Sequence, residues 1–477
     1  MTIRFGTDGW RAVIAESFTF ENVRLVSQAV ASHLLDAAEP GGGPLEIVIG
    51  FDTRFLSDRF AAEVARVMAA NGITAYLARA DAPTPAISYN IVHKKAVGGV
   101  MITASHNPPR YNGFKVKAAY GGSAPKHQTQ AIAQKLYSVH EPHGVNLMDF
   151  KLAEERGLIR KFDPAWPYYE HLTTNLINMD IISNGELKVV VDSMYGAGRG
   201  VFREILSRTH TRIHELHSDR NPGFGGIHPE PLGKNLRELI SMVQTENAYL
   251  GLATDGDADR IGAVDERGNF VDPHTIMALS VRYLVEKRKM SGAIAKTISS
   301  TLLLNRMAKK YGLVLHETPV GFDGIAQLML NDDVLLGGEE SGGISIKGHI
   351  PEGDGILMGL LLLEIVAEAG VSLTELIADL QRTFGPTCYQ RRDIHLKNPI
   401  SKEDMVKRLV ELAPAQLASE SVVKVDSYDG VKYHLADDSW LLIRPSGTEP
   451  LLRIYAEAGN EEAVKTMLEK GKELAGV

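Results

Sequence analysis

The chain has 477 residues, of which 44% are hydrophobic and 23% charged, with a formal net charge of −8. That length is more than one hydrophobic core supports, so about three or four domains are expected. The acidic balance excludes a global basic field for nucleic acid or an anionic membrane. A single cysteine, Cys388, excludes an intrachain disulfide framework and a cysteine-based zinc site, which fits a reducing cytoplasm.

Arg4, Asp8, Arg11 and Glu16 leave no apolar signal-peptide core at the N-terminus. Arg11 follows Gly9-Trp10 and reads equally as a surface cation or an anion ligand. Residues 45–51 form an apolar, β-branched run expected to be a strand, followed by an amphipathic stretch over 59–71 that ends at Gly72. Residues 97–103 are a second strand. It stops at Ser105-His106-Asn107-Pro108-Pro109, so the chain must leave the sheet in a rigid turn that presents a hydroxyl. Such a hydroxyl suits a nucleophile or a group carrier, and equally a helix cap. Lys115, ten residues on, returns an ammonium toward the same loop or simply lies on the surface.

A second unit opens near residue 155, with strands at 187–192 and 249–253 and a hairpin joining 261–264 to 269–271. The glycine-rich turn at 196–200 spaces its third glycine one position early for a dinucleotide fingerprint, and a close helix–strand turn accounts for it. The strand at 249–253 runs into Asp255, Asp257 and Asp259, separated by Gly256 and Ala258. Carboxylates at alternate positions of a tight turn can converge on one hard cation. A calcium EF-hand loop is disfavoured, because Arg260 stands where that loop needs glycine and the flanks are strands. Arg260 suits an anion that shares the metal.

A third unit alternates helix 275–288, strand 293–298, helix 302–311 and strand 313–317, and then reaches the polar loop Gly338-Glu339-Glu340-Ser341-Gly342. Paired carboxylates and a hydroxyl suit sugar hydroxyls, which both donate and accept, and equally a solvated turn. The apolar run 356–363 is much shorter than a membrane span. The last segment places Arg444-Pro445-Ser446-Gly447-Thr448 between strands 440–443 and 451–455, with Arg453 on the second. Guanidinium, hydroxyls and a glycine that admits close approach make a phosphate cradle; a β-turn binding nothing is the competing reading.

The order of these four motifs, the serine loop TASHNP, the acidic loop DGDADR, the polar loop GEESG and the basic loop RPSGTEP, resembles the α-D-phosphohexomutase superfamily from end to end. The resemblance implies an α/β protein of four domains around a central cleft. Three would be similar α/β units with mixed sheets (1–155, 156–267 and 268–382), followed by a smaller C-terminal α+β domain (383–477). It implies that Ser105 carries the phosphoryl group and that Asp255, Asp257 and Asp259 bind Mg²⁺, with the serine phosphate completing the shell. It places Arg260, Lys115, His106 and Arg11 near the transferring phosphoryl group. It assigns Glu339 and Ser341 to sugar hydroxyls, and Arg444, Ser446, Gly447, Thr448 and Arg453 to the non-reacting phosphate.

The implied reaction interconverts hexose 1-phosphate and hexose 6-phosphate through hexose 1,6-bisphosphate, with glucose favoured and mannose accepted. The implied protein is cytoplasmic, a monomer or homodimer, binding sugar phosphates and neither nucleic acid nor membrane. The alternatives are a phosphoglucosamine mutase, a hexose-1,6-bisphosphate synthase, and a non-catalytic sugar-phosphate-binding protein. Two positions depart from the family pattern: Asp323 and Gly353 stand where many members carry a basic residue. Lys347 or His349 is expected to compensate.

Overall fold

The computed structural model describes residues 3–4, 9–39, 41, 43–138, 144–396, 401–445 and 451–476. Its strands form four separate sheets. In the first, Gly98–Ile102, Glu46–Phe51, Thr74–Ala78 and Ile159–Phe162 run parallel, and Tyr111–Ala118 and Trp10–Val13 add antiparallel at one edge. The central strands are buried along nearly their whole length, which is why they read as continuous apolar runs rather than alternating ones. Helices such as Ser57–Ala70 and Thr84–His93 cover them.

The second sheet repeats the plan. Lys188–Asp192 lies between Arg212–Leu216 and Leu250–Thr254, all parallel, and Ile261–Asp265 with Phe270–Val271 forms the antiparallel edge hairpin. In the third, Ala293–Thr297 lies between Leu315–Thr318 and Val334–Gly338, with Ile344–Ile346 antiparallel at the end. The fourth is antiparallel throughout, in the order Cys388–His395, Leu451–Ala458, Trp440–Pro445, Val431–Leu435, Glu420–Asp426, Gln416–Leu417. Lys402–Glu411 and Glu461–Ala475 pack on it. The fold is therefore three mixed-sheet α/β units and a smaller α+β unit. The first two sheets reach past residues 155 and 267 through Ile159–Phe162 and Phe270–Val271.

One helix ties the middle of the molecule together. Gly355–Ala369 is buried from Gly355 through Val366, so it is apolar on every side. Its one buried charge, Glu364, is matched by Arg288 and by the Tyr283 hydroxyl at 2.7 Å. The Asp354 side chain caps it by accepting from the Leu357 amide, and the Gly355 amide donates to the Ala258 carbonyl inside the acidic loop. No single helix among the described residues is long and apolar enough to cross a membrane.

Candidate functional site

The serine loop begins where the buried strand Gly98–Ile102 ends. Thr103 uses its hydroxyl twice: it accepts from the Ser105 amide at 2.8 Å and donates to Asp52 at 2.7 Å. Ser105 itself is fully buried, with φ of 51°. A left-handed backbone at a non-glycine residue costs energy and needs support from its surroundings. Arg54, with no exposed surface, supplies it: the guanidinium donates to the carbonyls of Ser105 and Asn107 at 2.6 Å and of Pro108 and Tyr111 at 3.0 Å. Asp52 pairs with Arg54 at 3.1 Å; burial still pushes its carboxyl up to about 6, against the pull of Arg54 and of the hydrogen bonds it accepts.

The acidic loop comes from the second sheet and meets the serine loop backbone to backbone. A Cβ on Gly256 would collide with the Ser105 carbonyl, and one on Gly196 would lie 2.7 Å from the Asp255 carbonyl. These positions accept only glycine, and the turn at 196–200 is thereby a packing device rather than a nucleotide site. Across the seam the Ser105 hydroxyl donates to Asp255 Oδ2 at 2.8 Å, and the Thr84 hydroxyl donates to Asp257 Oδ2 at 2.7 Å. Lys115, also buried, reaches Asp257 and Asp259 at 3.0 Å each.

Three carboxylates with oxygen atoms within 4.8 Å of one another crowd the Ser105 hydroxyl. Burial, then Asp259 and Asp257, pushes Asp255 well above the usual carboxylate range. Burial acts the same way on Asp257 but is outweighed by Lys115 and the Thr84 hydroxyl, which hold it low. Asp257 Oδ1 and Asp259 Oδ1 are buried without a hydrogen-bond partner among the described residues. Unpaired buried oxygens on two of three converging carboxylates fit a hard divalent cation such as Mg²⁺.

Around this centre the cations are ordered. The Arg260 amide donates to Asp255 at 3.2 Å, and its guanidinium lies 3.8 Å from Asp259 and 3.9 Å from Glu230. Arg11 donates to the Asn107 side chain at 2.6 Å. The His106 ring is 3.4 Å from the Ser105 hydroxyl. Burial, followed by Arg260 and Arg11, pushes its pKa well down, so it is a neutral imidazole near pH 7. Arg11, His106, Asp259 and Arg260 line one end of a cleft of about 250 Å³.

The third sheet supplies the opposite wall. Glu339 accepts from the Gly321 amide at 2.9 Å, and the Ser341 hydroxyl lies 3.5 Å from Glu339. Glu340 accepts from Ser299 at 2.7 Å. The loop docks on the acidic loop through the Ile261 amide, which donates to the Gly342 carbonyl at 3.1 Å. Arg453 lines the cleft, while Arg444 donates its Nε to Asp429 at 2.9 Å. Ser446, Gly447 and Thr448 lie outside the described residues.

The compensation expected of Lys347 and His349 is absent. Lys347 pairs with Asp333 and the Ser291 carbonyl. Gly348, at φ 91°, turns the chain so that the His349 ring is fully buried between Asp354 at 2.9 Å and His171 at 3.1 Å. Neither is among the cleft-lining residues. Gly353 lines the cleft, but a Cβ there would sit 2.8 Å from the Asp259 carbonyl and 2.9 Å from Gly343 Cα. Backbone packing dictates glycine at that position, whatever charge the cleft needs. Asp323 does line the cleft, as do Glu230, Glu352 and Arg391, none of which the sequence reading of the motifs singled out except Asp323.

Four family models match consecutive segments. Phosphoglucomutase/phosphomannomutase alpha/beta/alpha domains I, II and III match residues 2–142, 167–268 and 272–384, and the C-terminal domain matches 405–472. The chain belongs to the α-D-phosphohexomutase superfamily. It is 32% identical to a phosphoglucomutase/phosphomannomutase of Thermococcus kodakarensis over 98% of both chains. It is also 32% identical to a phosphoglucosamine mutase of Frankia alni, over 98% of this chain and 96% of that one. The fold is shared with a crystal structure from Thermus thermophilus designated a putative phosphomannomutase, at 33% identity and a TM-score of 0.86, covering 100% of this chain and 99% of that one. The phosphohexomutases are intramolecular phosphotransferases, and the chain is an enzyme of that family.

Proposed function

We propose that this phosphohexomutase interconverts hexose 1-phosphate and hexose 6-phosphate by lending and recovering a phosphoryl group on Ser105. The observation that carries the reading is the Ser105 hydroxyl, set 2.8 Å from Asp255 at the centre of the acidic cluster. In the first half-reaction the phosphoryl group of phosphorylated Ser105 passes to the free hydroxyl of the substrate. The Oγ–P bond breaks as the new O–P bond forms, giving hexose 1,6-bisphosphate. The hydroxyl's proton passes to a neighbouring base, a role we assign to the His106 imidazole, 3.4 Å from the Ser105 hydroxyl. The bisphosphate turns over, its other phosphoryl group returns to the Ser105 oxygen as the sugar O–P bond breaks, and the base gives its proton back to the freed sugar oxygen.

Phosphoryl transfer asks mainly for positioning and charge neutralisation. Asp255, Asp257 and Asp259 would hold Mg²⁺, which, when bound, offsets the charge of the transferring group. Lys115, Arg260 and Arg11 hold the remaining negative charge. Glu339 and Ser341 receive the sugar hydroxyls, and Arg444, Ser446, Gly447, Thr448 and Arg453 cradle whichever phosphate is not reacting. The Asp323 carboxylate in the cleft lining supports a second reading of the sugar, because it favours an ammonium at C2. On that reading the substrate is glucosamine phosphate, as the name of the Frankia relative suggests.

Two measurements separate the possibilities. Intact-mass analysis after incubation with glucose 1,6-bisphosphate should show one phosphoryl group on Ser105, and Ser105→Ala should show none. A coupled assay across glucose, mannose and glucosamine 1-phosphates then ranks the sugars. A protein that binds these compounds but never phosphorylates Ser105 would be a binder and not a mutase.

A further inference from the structure

The far wall of the cleft holds an arginine outside every motif of the family pattern. Arg391 lies on Cys388–His395, opposite Tyr455 on Leu451–Ala458, and Asp393 lies opposite Arg453 on the same pair of strands. Residues two apart on a strand share a face, so Arg391 and Asp393 stand beside Arg453 and Tyr455. Arg391, Arg453 and Tyr455 all line the cleft.

Asp393 organises the pair. Its two oxygens accept from Nε and Nη2 of Arg391 at 2.8 Å each, and Oδ2 lies 4.0 Å from Arg453 Nε. This bidentate grip fixes the plane of the Arg391 guanidinium and leaves Nη1 for another acceptor. Arg453 Nε is itself buried with no hydrogen-bond partner among the described residues. One carboxylate between two guanidinium groups leaves a net positive charge facing a cleft whose third-sheet side presents Asp323, Glu339 and Glu340, Glu352 there being paired with Lys117 at 2.8 Å. A phosphate dianion is repelled from that side. Among the described residues, Arg11 and Arg260 are the other cationic side chains lining the cleft, and they stand at the Ser105 end.

We propose that Arg391 binds the non-reacting phosphate of the substrate directly, positioned by Asp393 so that it and Arg453 close on the same group. This rests on the mutase reading above. It also accounts for how the cleft holds a sugar phosphate with Asp323 in place of a cation. Arg391 touches the phosphate and not the reacting atoms, so its loss weakens binding more than turnover.

The test uses the full-length protein with Mg²⁺ and the hexose 1-phosphate it turns over fastest. Arg391→Gln should raise KM by about 10- to 100-fold, the range of a charge-assisted hydrogen bond, and lower kcat by much less. Arg391→Lys, which keeps the charge but not the fork, should fall between. Asp393→Asn should move KM in the same direction while the melting temperature and Ser105 phosphorylation stay those of the parent. A KM within about twofold of the parent for both Arg391 variants overturns the proposal. Should the parent turn over no hexose phosphate, the mutase reading fails by itself, and calorimetry with glucose 1,6-bisphosphate decides this one. Affinity weakened by the same factor in Arg391→Gln supports it, and unchanged affinity overturns it.

Discussion

The Ser105 hydroxyl donates a 2.8 Å hydrogen bond to Asp255 across 150 residues of sequence and between two sheets. Neither residue can reach the other's position from its own sheet, so the site exists only where the two units are docked. Ser105→Ala should therefore remove the phosphoryl carrier without disturbing the acidic loop. We expect turnover to fall by about three orders of magnitude or more, no phosphoryl group by intact mass, and a stability loss of about 1–3 kcal/mol from the lost hydrogen bond to Asp255.

Lys115 offsets only part of the charge of the three converging carboxylates, which leaves a place for a divalent cation. Chelation should abolish turnover and added Mg²⁺ should restore it. Mg²⁺ should also raise the melting temperature of the parent, because a ligand bound only by the native state stabilises it. Asp257→Asn or Asp259→Asn should lose most of that rise. A melting temperature indifferent to Mg²⁺ in the parent would count against the site.

Arg54 bridges Asp52 and four carbonyl oxygens of the serine loop. Removing it strands a buried carboxylate, so Arg54→Met should destabilise the protein by about 3–5 kcal/mol in urea unfolding. Arg54→Lys should recover little, since an ammonium cannot span the same acceptors.

Much of this was legible in the residue string, and the exceptions have physical reasons. Ser105 and the alternating aspartates stood out because each motif is contiguous and follows a buried strand. Arg54 also follows a strand, Glu46–Phe51, but an Asp-Thr-Arg turn looks like a solvated one until the neighbouring loop is placed against it. Thr84 was silent because its partner, Asp257, belongs to another sheet. Arg391 sits in the polar run Gln390-Arg391-Arg392-Asp393, which reads as an exposed face. Gly353 looked like a missing cation, and its neighbours Lys347 and His349 like replacements, because charge is visible in sequence and backbone crowding is not.

That crowding separates the two departures experimentally. Gly353→Lys should lose activity and stability together, since its Cβ has no room beside the Asp259 carbonyl. Asp323 lines the open cleft, so Asp323→Lys should keep the fold, at a cost of about 1 kcal/mol for a cation in the first turn of Phe322–Asn331. It should lower KM for glucose 1-phosphate a few-fold while raising it for glucosamine 1-phosphate, as steady-state kinetics on both sugars will show.

Glu339 gives a pH signature. Burial, then the neighbouring Glu340, pushes its carboxyl up to about 7 from an ordinary 4.5, against Arg260 and the Gly321 amide. A carboxyl raised by folding contributes stability that is full below its unfolded value and is lost as pH rises through its folded one. Without ligand, Glu339→Gln should match the parent near pH 4 and exceed it near pH 8, by on the order of 1–3 kcal/mol in urea unfolding. A difference that does not change with pH would show that Glu339 titrates normally.

The seam between Ser105 and Asp255 joins the first two sheets, while Glu339, Asp323, Arg391 and Arg453 belong to the last two. On the roles proposed above, transfer and the grip on the sugar phosphate are written in different stretches of the chain. A lineage can change what it accepts by altering the second half alone, with the transfer machinery inherited intact. Relatives equally distant from this chain can then bear the names of different sugars.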